Sequence, residues 1–320
     1  MIKVSVCVIT FNQQAYIEKC LTSIVAQEVN FPIEIIVSDD CSTDDTWEII
    51  RKFAVKHKNI LCFRHEENVG MMKNLSSTLS KCSGEFIAIC EGDDFWYSSN
   101  KLIEQVYFAE INNNFGMLIH RAFESDDDNN IGNVLFDKGD AELKLSLSDV
   151  LSHTGQFSPT ASYFFKRCLL SELPDWFKTA TVGDLFIEIY STKLGPIFYM
   201  PKTYCCYRTH SVGSWSFQAR RFDYKKNLER SKKFEIDLRK CAKDFPDYVD
   251  LFNVKISESL TAQAESYIML SDYHNFKNVI AESIELSRFA NRTQFCMSTL
   301  QKFPYLLKLA IKLKHWLISR

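Results

Sequence analysis

Short apolar runs of strand length alternate with helical patterns through the first part of the chain. These runs occupy positions 4–10, 33–37, 60–64 and 85–90, the first of them is rich in β-branched residues, and apolar residues at helical spacing follow the first three. Strands that alternate with helices predict a parallel sheet covered by helices on both faces. In such sheets the carboxyl ends of the strands lie along one edge, and ligands bind there.

Polar residues follow the predicted strands where they end. Carboxylates that lie close together repel one another, and burying them is costly without a positive partner. Oxygen ligands of this kind suit Mg²⁺ or Mn²⁺, and these metals commonly clamp a substrate diphosphate. A solvated acidic turn would explain any one of these groups, but three groups at one edge favour a binding site. The groups are Thr10 and Asn12 after the first strand, Asp39 and Asp40 at the end of the second, and Glu91, Asp93 and Asp94 after the fourth.

The pattern changes twice farther along the chain. From about residue 115 to 207, strand patterns mix with a helix that begins near Asp184, and the acidic, Asn-rich residues 126–130 are typical of a solvated loop. From residue 217 onward the chain has helical patterns only. We therefore predict an α/β domain over residues 1–216, with halves at 1–110 and 111–216, and an all-helical region over residues 217–320. The later strands are predicted at 117–123, 162–166, 197–200 and 204–208.

Composition narrows the class of protein. The net charge of −2 over 320 residues gives no basic field that would favour nucleic acid. The 11 cysteines show neither CxxC pairs nor zinc-ligand spacing, so we predict buried, reduced thiols in the cytoplasm. The beginning of the chain shows no signal-peptide pattern, and no run of uncharged apolar residues is long enough to span a membrane.

Taken in order, these segments resemble the inverting family 2 glycosyltransferases of the GT-A fold over residues 3–216. The resemblance is carried by residues 4–12, 35–46, 68–70, 84–88 and 91–96, and later by residues 182–184 and 207–210. It implies a Rossmann-like, mostly parallel central sheet flanked by helices. Residues 1–110 would be the nucleotide-binding half of a catalytic domain, and residues 111–216 the acceptor-binding half.

The resemblance implies roles for residues of the nucleotide-binding half. Asp40 would accept the ring N–H of the base, typically uracil, although a helix N-terminal acid near Thr43 is the simpler alternative. Glu91 would reach a ribose hydroxyl, while Asp93 and Asp94 match the metal-binding DxD signature for Mn²⁺ or Mg²⁺. The remaining predicted contacts are Thr10 and Asn12 to the base and ribose, and Lys73 to a phosphate, unless that lysine is simply solvated.

The acceptor-binding half would supply the catalytic base. Asp184 is the candidate because an inverting displacement needs a carboxylate within hydrogen-bond reach of the acceptor hydroxyl. The alternative role for Asp184 is to cap the following helix. Arg208 and His210 leave a strand on the same side and would hold the diphosphate, with His210 completing the metal shell.

These roles predict a metal-dependent transfer from a nucleotide-sugar, typically a UDP-sugar, to a glycan or lipid-linked glycan acceptor in bacterial surface-polysaccharide synthesis. One rival is a sugar nucleotidyltransferase, which needs a Gly-rich phosphate loop that residues 10–14 do not provide. The other rival is a catalytically silent protein that binds sugar nucleotides or acts as a scaffold.

The end of the chain has a charge pattern of its own. No acidic residue follows Glu285, whereas seven basic residues do. From Pro304 the spacing predicts a helix with leucines on one face and basic residues opposite. Such a helix either lies on an anionic membrane surface, here the inner face of the cell membrane, or packs on the protein. The apolar positions are Leu306, Leu307, Ala310, Leu313 and Leu317, and the opposite ones are Lys308, Lys312 and His315.

Overall fold

The computed structural model describes residues 1–209 and 223–318, with side chains as far as residue 313. The chain forms two compact units, Met1–Gln218 and Ala219–Arg320. His210, one of the predicted site residues, lies outside the described residues.

The first unit is built on a ten-stranded sheet with the order β3-β2-β1-β4-β9-β6-β10-β5, in which β7 pairs with β6 and β8 with β10. Strands β1 to β4 pair in parallel, as the alternation of strands and helices predicts. Their buried β-branched residues form the core against the flanking helices. The strands are β1 (Val4–Thr10), β2 (Ile33–Asp39), β3 (Ile60–Arg64), β4 (Phe86–Ile89), β5 (Phe95–Trp96), β6 (Met117–Ser125), β7 (Ile131–Leu135), β8 (Leu143–Leu145), β9 (Phe164–Lys166) and β10 (Ile197–Arg208).

The second half of the sheet is mixed. Strand β9 lies between β4 and β6 and runs antiparallel to both. Strand β10 is continuous, whereas the sequence predicts two strands at 197–200 and 204–208. The register against β6 shifts between Met200 and Thr203 and again before Cys205. Pro201 has no N–H to donate to the ladder, and a bulge at this point keeps the two parts in one strand.

Among the described residues, six α-helices belong to the first unit and five to the second. In the second unit α8, α9, α10 and α11 share a small core that includes Ala264, Phe276 and Met297. The helices are α1 (Ile17–Val25), α2 (Thr46–Lys56), α3 (Met71–Leu79), α4 (Lys101–Ile111), α5 (Leu147–Ser152), α6 (Asp184–Ser191), α7 (Tyr224–Ala242), α8 (Val249–Met269), α9 (Tyr273–Leu286), α10 (Arg292–Thr299) and α11 (Pro304–Ile318).

The single apolar face predicted for α11 is divided in the structure. Leu307 is buried together with Ile311 in the core of the second unit, whereas Leu306 and Leu313 are exposed. The helix therefore packs on its own unit and still presents leucines outward.

The structure bears on two expectations drawn from composition, the state of the cysteines and the membrane-spanning potential of the helices. All 11 cysteines are free, and seven of them are buried. Cys41, Cys62, Cys168 and Cys296 are at least partly accessible, so the expectation of buried thiols holds only for the majority. Among the described residues, no helix has the length and hydropathy needed to span a membrane.

Candidate active site

The ends of β1, β2 and β4 meet at one edge of the sheet. Thr10 aligns with Asp39 in the parallel register, and the backbone N–H of Asp40 donates to the carbonyl of Thr10 at 3.0 Å. On the other side, the backbone N–H of Gly92 donates to the carbonyl of Ile9 at 3.0 Å. A Cβ added to Gly92 would lie 2.8 Å from the Cβ of Thr10, so glycine allows the acidic loop to approach β1 this closely.

Asp40 is buried and holds the loop before α3. Its two carboxylate oxygens accept the backbone N–H groups of Val69 at 2.8 Å and of Gly70 at 2.9 Å. Gly70 has φ of +87°, a conformation that favours glycine, and α3 begins directly after it. The simpler alternative for Asp40 was a role at the N-terminus of the helix near Thr43. The structure instead places its carboxylate at Val69 and Gly70. A surface depression lined by His65, Glu66, Glu67 and Val69 adjoins this loop.

Thr10 and Asn12 make hydrogen bonds that shape the same edge. The hydroxyl of Thr10 donates to the side-chain oxygen of Gln13 at 2.6 Å. Asn12 has φ of 51°, and its side-chain oxygen accepts the backbone N–H of Thr43 at 2.8 Å. Both residues lie where the sequence predicts a base and ribose site, and both brace the loops that would form it.

Asp39 is a structural acid that the sequence does not distinguish from Asp40. It is fully buried, forms an ion pair with Arg64 at 3.3 Å and accepts the backbone N–H of Ser42 at 3.1 Å. Burial raises its pKa, and these partners oppose the rise. Each member of this acidic pair thus ties a different loop to the end of β2.

Three carboxylates from two distant segments of the sequence, Glu91 and Asp93 in one and Asp184 in the other, lie near one another. Burial, and then the charges of Asp93 and Asp184, raise the pKa of Glu91 to about 8. Burial also raises the pKa of Asp184. Burial is the largest cause of this rise, and like charges add to it only when they lie near the group in a weakly solvated place. The structure therefore brings Glu91, Asp93 and Asp184 together.

Asp94, the next residue of the acidic loop, is joined to Arg208 by a hydrogen bond. One carboxylate oxygen of Asp94 accepts the backbone N–H of Arg208 at 2.9 Å. The other, Oδ2, is buried and has no hydrogen-bond partner among the described residues. Burial, followed by the charges of Asp93 and Glu91, raises the pKa of Asp94 well above its usual range.

The guanidinium of Arg208 binds other parts of the protein, whereas the family resemblance implies a contact with the diphosphate. Its Nε donates to the carbonyl of Asp93 at 2.8 Å, and its Nη2 donates to the side-chain oxygen of Asn129 at 2.8 Å. Nη1 donates to the carbonyl of Asp126. Because all three nitrogens bind the protein and the side chain is 2% exposed, Arg208 is placed as a brace between the acidic loop and the turn after β6.

The turn at residues 126–130 is exposed, as predicted, but it is fastened to the site. The hydroxyl of Tyr16 donates to Asp127 at 2.8 Å, and the guanidinium of Arg208 stacks over the Tyr16 ring at 4.5 Å. The sequence gives no signal for this attachment because the partners are more than 80 residues apart. Lys73 is exposed in the first turn of α3, and the described residues offer it no ion pair.

Asp184 is the first residue of α6. The position before it, Gly183, is the N-cap, and the Asp184 carboxylate accepts the backbone N–H of Leu185 at 2.8 Å. Asp184 therefore does not cap the helix, although its charge suits the positive end of the helix dipole. A Cβ on Gly183 would lie 3.0 Å from Leu75 and 3.2 Å from Met72, so α6 begins in close contact with α3.

Glu188 lies one helical turn after Asp184 and was not among the predicted site residues. It is 1% exposed and accepts the hydroxyl groups of Tyr163 at 2.6 Å and Ser158 at 2.7 Å. Burial, and then the charge of Asp184, raise its pKa to about 8. The spacing of four residues between two carboxylates was the available signal, but such a pair usually marks a solvated helix face.

Comparison with known proteins extends over most of the chain. An uncharacterized protein of Mycobacterium tuberculosis is 29% identical over 223 residues, which cover 66% of this chain and 60% of that protein. This chain thus matches less than two thirds of the length of such a relative. The GalNAc(5)-diNAcBac-PP-undecaprenol beta-1,3-glucosyltransferase of Campylobacter jejuni is 29% identical, with 75% of this chain and 76% of that enzyme covered.

A solved structure shows the same fold. The structure of Staphylococcus aureus TarS 1-349 in complex with UDP-GlcNAc superposes with a TM-score of 0.60 at 17% identity and covers 90% of each chain. The predicted GT-A architecture is thereby confirmed. The model of the family described as Glycosyl transferase family 2 matches residues 5–164. Since that match spans half of the sequence, the chain belongs to glycosyl transferase family 2.

Proposed function

We propose that this protein is an inverting, metal-dependent glycosyltransferase that moves a sugar from UDP to a hydroxyl group of a glycan acceptor. The observation that carries the proposal is the meeting of Glu91, Asp93 and Asp184 at the edge where β1, β2 and β4 end. In an open α/β sheet this edge is the usual place for a nucleotide. The acids come from both predicted halves, so donor and acceptor chemistry would meet there.

The nucleotide would lie along the loops that Asp40 organises. The carboxylate of Asp40 fixes Val69 and Gly70, and the depression lined by His65 and Val69 lies beside them. A carboxylate oxygen can accept more than one hydrogen bond, so Asp40 can also accept a uracil N–H. The choice of UDP follows from the family resemblance, and the structural relative TarS binds UDP-GlcNAc.

The acidic loop fits a divalent cation shared with a diphosphate. Among the described residues, no three His, Cys, Asp or Glu side chains form a complete metal site. However, Mg²⁺ and similar ions in nucleotide sites are usually held by one or two carboxylates together with substrate phosphates. Asp93 would hold the ion, and the orphaned Oδ2 of Asp94 is the second candidate ligand. When bound, the ion would neutralise charge on the departing diphosphate.

Asp184 would act as the general base. The acceptor oxygen attacks the anomeric carbon, the bond to the diphosphate breaks, and the proton of the hydroxyl passes to the Asp184 carboxylate. Burial that raises the pKa of Asp184 makes it a better proton acceptor. Glu188, protonated in its buried site at neutral pH, would leave Asp184 as the charged member of the pair.

The acceptor is proposed to be a lipid-linked glycan in surface-polysaccharide synthesis. The name of the Campylobacter relative gives its substrate as an undecaprenol-linked glycan. Such an acceptor is presented at a membrane, so we place the reaction at the inner face of the bacterial cell membrane.

The direct test is turnover of nucleotide sugars by the full chain. A panel of nucleotide sugars with Mn²⁺ is first screened for binding by thermal shift, and the hits are assayed for slow hydrolysis and release of nucleoside diphosphate. We expect a UDP-sugar to be hydrolysed, and Asp93→Asn to abolish that release. Asp247→Asn, an exposed acid of the second unit, is the matched control and should behave as the native chain.

Two results would contradict the proposal. Undiminished hydrolysis by Asp93→Asn would remove the metal role of the acidic loop. Tight binding of a UDP-sugar without hydrolysis or transfer to any glycan would instead favour a silent sugar-nucleotide binding protein.

A further inference from the structure

Helix α11 has an inner and an outer apolar face. Leu307 and Ile311 are 3% and 7% exposed and pack in the core of the second unit. Leu306, Leu309 and Leu313 follow the i, i+3, i+7 spacing of one helical face and are 57–65% exposed. The inner face already accounts for the packing of the helix, so the outer leucines need another explanation.

Exposed apolar side chains are concentrated in this part of the chain. Of the 21 large hydrophobic residues that are exposed among the described residues, eight lie between positions 289 and 313. Scattered single residues of this kind are normal, but a concentrated set marks an interaction surface. Phe289 has φ of 62°, and the centroid of its ring lies 5.5 Å from that of Phe295. The other members of the set are Leu300, Phe303 and Tyr305, followed by the three outer leucines.

The same segment carries positive charge only. Residues 286–320 include seven basic residues and no acidic residue. Arg288, Arg292, Lys302 and Lys312 are exposed, and none of them has an ion pair among the residues that the structure describes. Lys308 donates to the hydroxyl of Ser271 at 2.6 Å and also has no carboxylate partner there. A partner for this surface must therefore be apolar and negatively charged.

We propose that the outer face of α11 docks on an anionic membrane surface, with its leucines among the acyl chains and the flanking lysines at the headgroups. A basic helix with one apolar face is the arrangement that lies in a membrane interface. A second copy of the chain is a poorer occupant because the two basic segments would repel each other. Docking would keep the enzyme at the surface where a lipid-linked acceptor is found, but it does not depend on the proposed transfer reaction.

Flotation with vesicles tests this proposal. The full chain is mixed with vesicles of phosphatidylcholine alone, or of phosphatidylcholine with phosphatidylglycerol. We expect binding to the anionic vesicles, at least tenfold weaker binding to the neutral ones, and release by high salt. Equal binding to both vesicle types, or binding to neither, would overturn the proposal.

Two pairs of variants locate the surface. Leu309→Glu should lower binding to anionic vesicles at least tenfold, whereas Ile236→Glu, at an exposed apolar site on α7, should not. The double change Lys308→Gln and Lys312→Gln should weaken binding by about fivefold or more per lysine at low salt. The control, Lys225→Gln with Lys277→Gln, removes the same charge from exposed sites on α7 and α9.

Circular dichroism and thermal unfolding of each variant check that the second unit is intact. A folded Leu309→Glu variant that still binds anionic vesicles would overturn the proposal. So would a concentration-dependent dimer of the native chain that Leu309→Glu abolishes, because the face would then be covered by a second copy. Hydrolysis of a UDP-sugar in solution should be unchanged in Leu309→Glu, which separates this proposal from the proposed function.

Discussion

The proposed nucleotide edge, at Asp40 and Asn12, and the proposed acceptor side, at Asp184 and Glu188, are stabilised in different ways. At the nucleotide edge, Asp40 and Asn12 are satisfied by backbone N–H groups of neighbouring loops. On the acceptor side, burial is the largest cause that raises the pKa of Asp184 and of Glu188, and the charge of Asp184 raises that of Glu188 further. The first arrangement holds loops in place. The second raises the pKa of two carboxyl groups, as is common at sites of acid–base catalysis.

The largest expected effect is on the rate. Asp184→Asn keeps the size of the side chain and removes the base, so transfer or hydrolysis should fall by about 10²–10⁴-fold. The free energy of unfolding and the affinity for UDP should change little. Steady-state kinetics measure the rate, UDP titration the affinity, and urea unfolding the stability of the variant.

The control for that variant is Asp175→Asn, which changes an exposed acid in the same half. If Asp184→Asn instead weakened UDP binding and left the rate of bound donor unchanged, Asp184 would belong to the nucleotide edge. The distinction between the two regions would then fail.

At the nucleotide edge we expect an effect on stability as well as on binding. Asp40→Ala leaves the backbone N–H groups of Val69 and Gly70 without their charged acceptor, at a cost of about 1.5–3 kcal/mol in the free energy of unfolding. UDP should bind more weakly because the loop before α3 is released. Urea unfolding and UDP titration measure the two effects.

Asp45→Ala is the matched control, since Asp45 is exposed and its side chain does not cap α2. An Asp40→Ala variant as stable as this control would show that the loop is held by other contacts.

Measured per unit of pH, the smallest expected effect is a change in stability on the acceptor side. The pKa of Glu188 is raised to about 8 from an ordinary value of 4.5, so the folded state keeps a proton that the unfolded state loses. This contribution to stability is complete below pH 4.5 and is lost as the pH rises through about 8. One such proton changes the free energy of unfolding by at most about 1.4 kcal/mol per unit of pH.

Glu188→Gln cannot lose that proton, so its stability should depend less steeply on pH between 4.5 and 8 than that of the native chain. Urea unfolding at several pH values measures the slope. The exposed Glu142→Gln is the control and should keep the native slope. Identical slopes for Glu188→Gln and the native chain would mean that Glu188 is not protonated in the folded state.

The sequence predicted the parts of the fold that depend on local pattern. Strands β1 and β3 have the predicted bounds, and α6 begins at Asp184 as expected. Hydrophobic alternation and helical spacing are local properties, so they could be read directly. The mixed second half could not, because the place of β9 between β4 and β6 depends on pairing between distant segments.

The same limit applies to the candidate site. The acids at strand ends were predicted from their positions, and the structure brings Glu91, Asp93 and Asp184 together. The engagement of Arg208 by the turn after β6 and the burial of Glu188 depend on contacts between residues far apart in sequence. A basic residue in a strand and an acidic residue in a helix carry no signal of such partners.

Helix α3 connects the two regions. At its N-terminus, the backbone N–H of Gly70 donates to Asp40. The side chains of Met72 and Leu75 lie against Gly183, the residue before Asp184 at the start of α6. The nine residues of this helix span only about 14 Å, so its two ends lie close to each other. A mutation that reshapes the loop to admit a different donor would therefore also displace Asp184, the proposed base. Donor and acceptor preference in this protein should consequently evolve together.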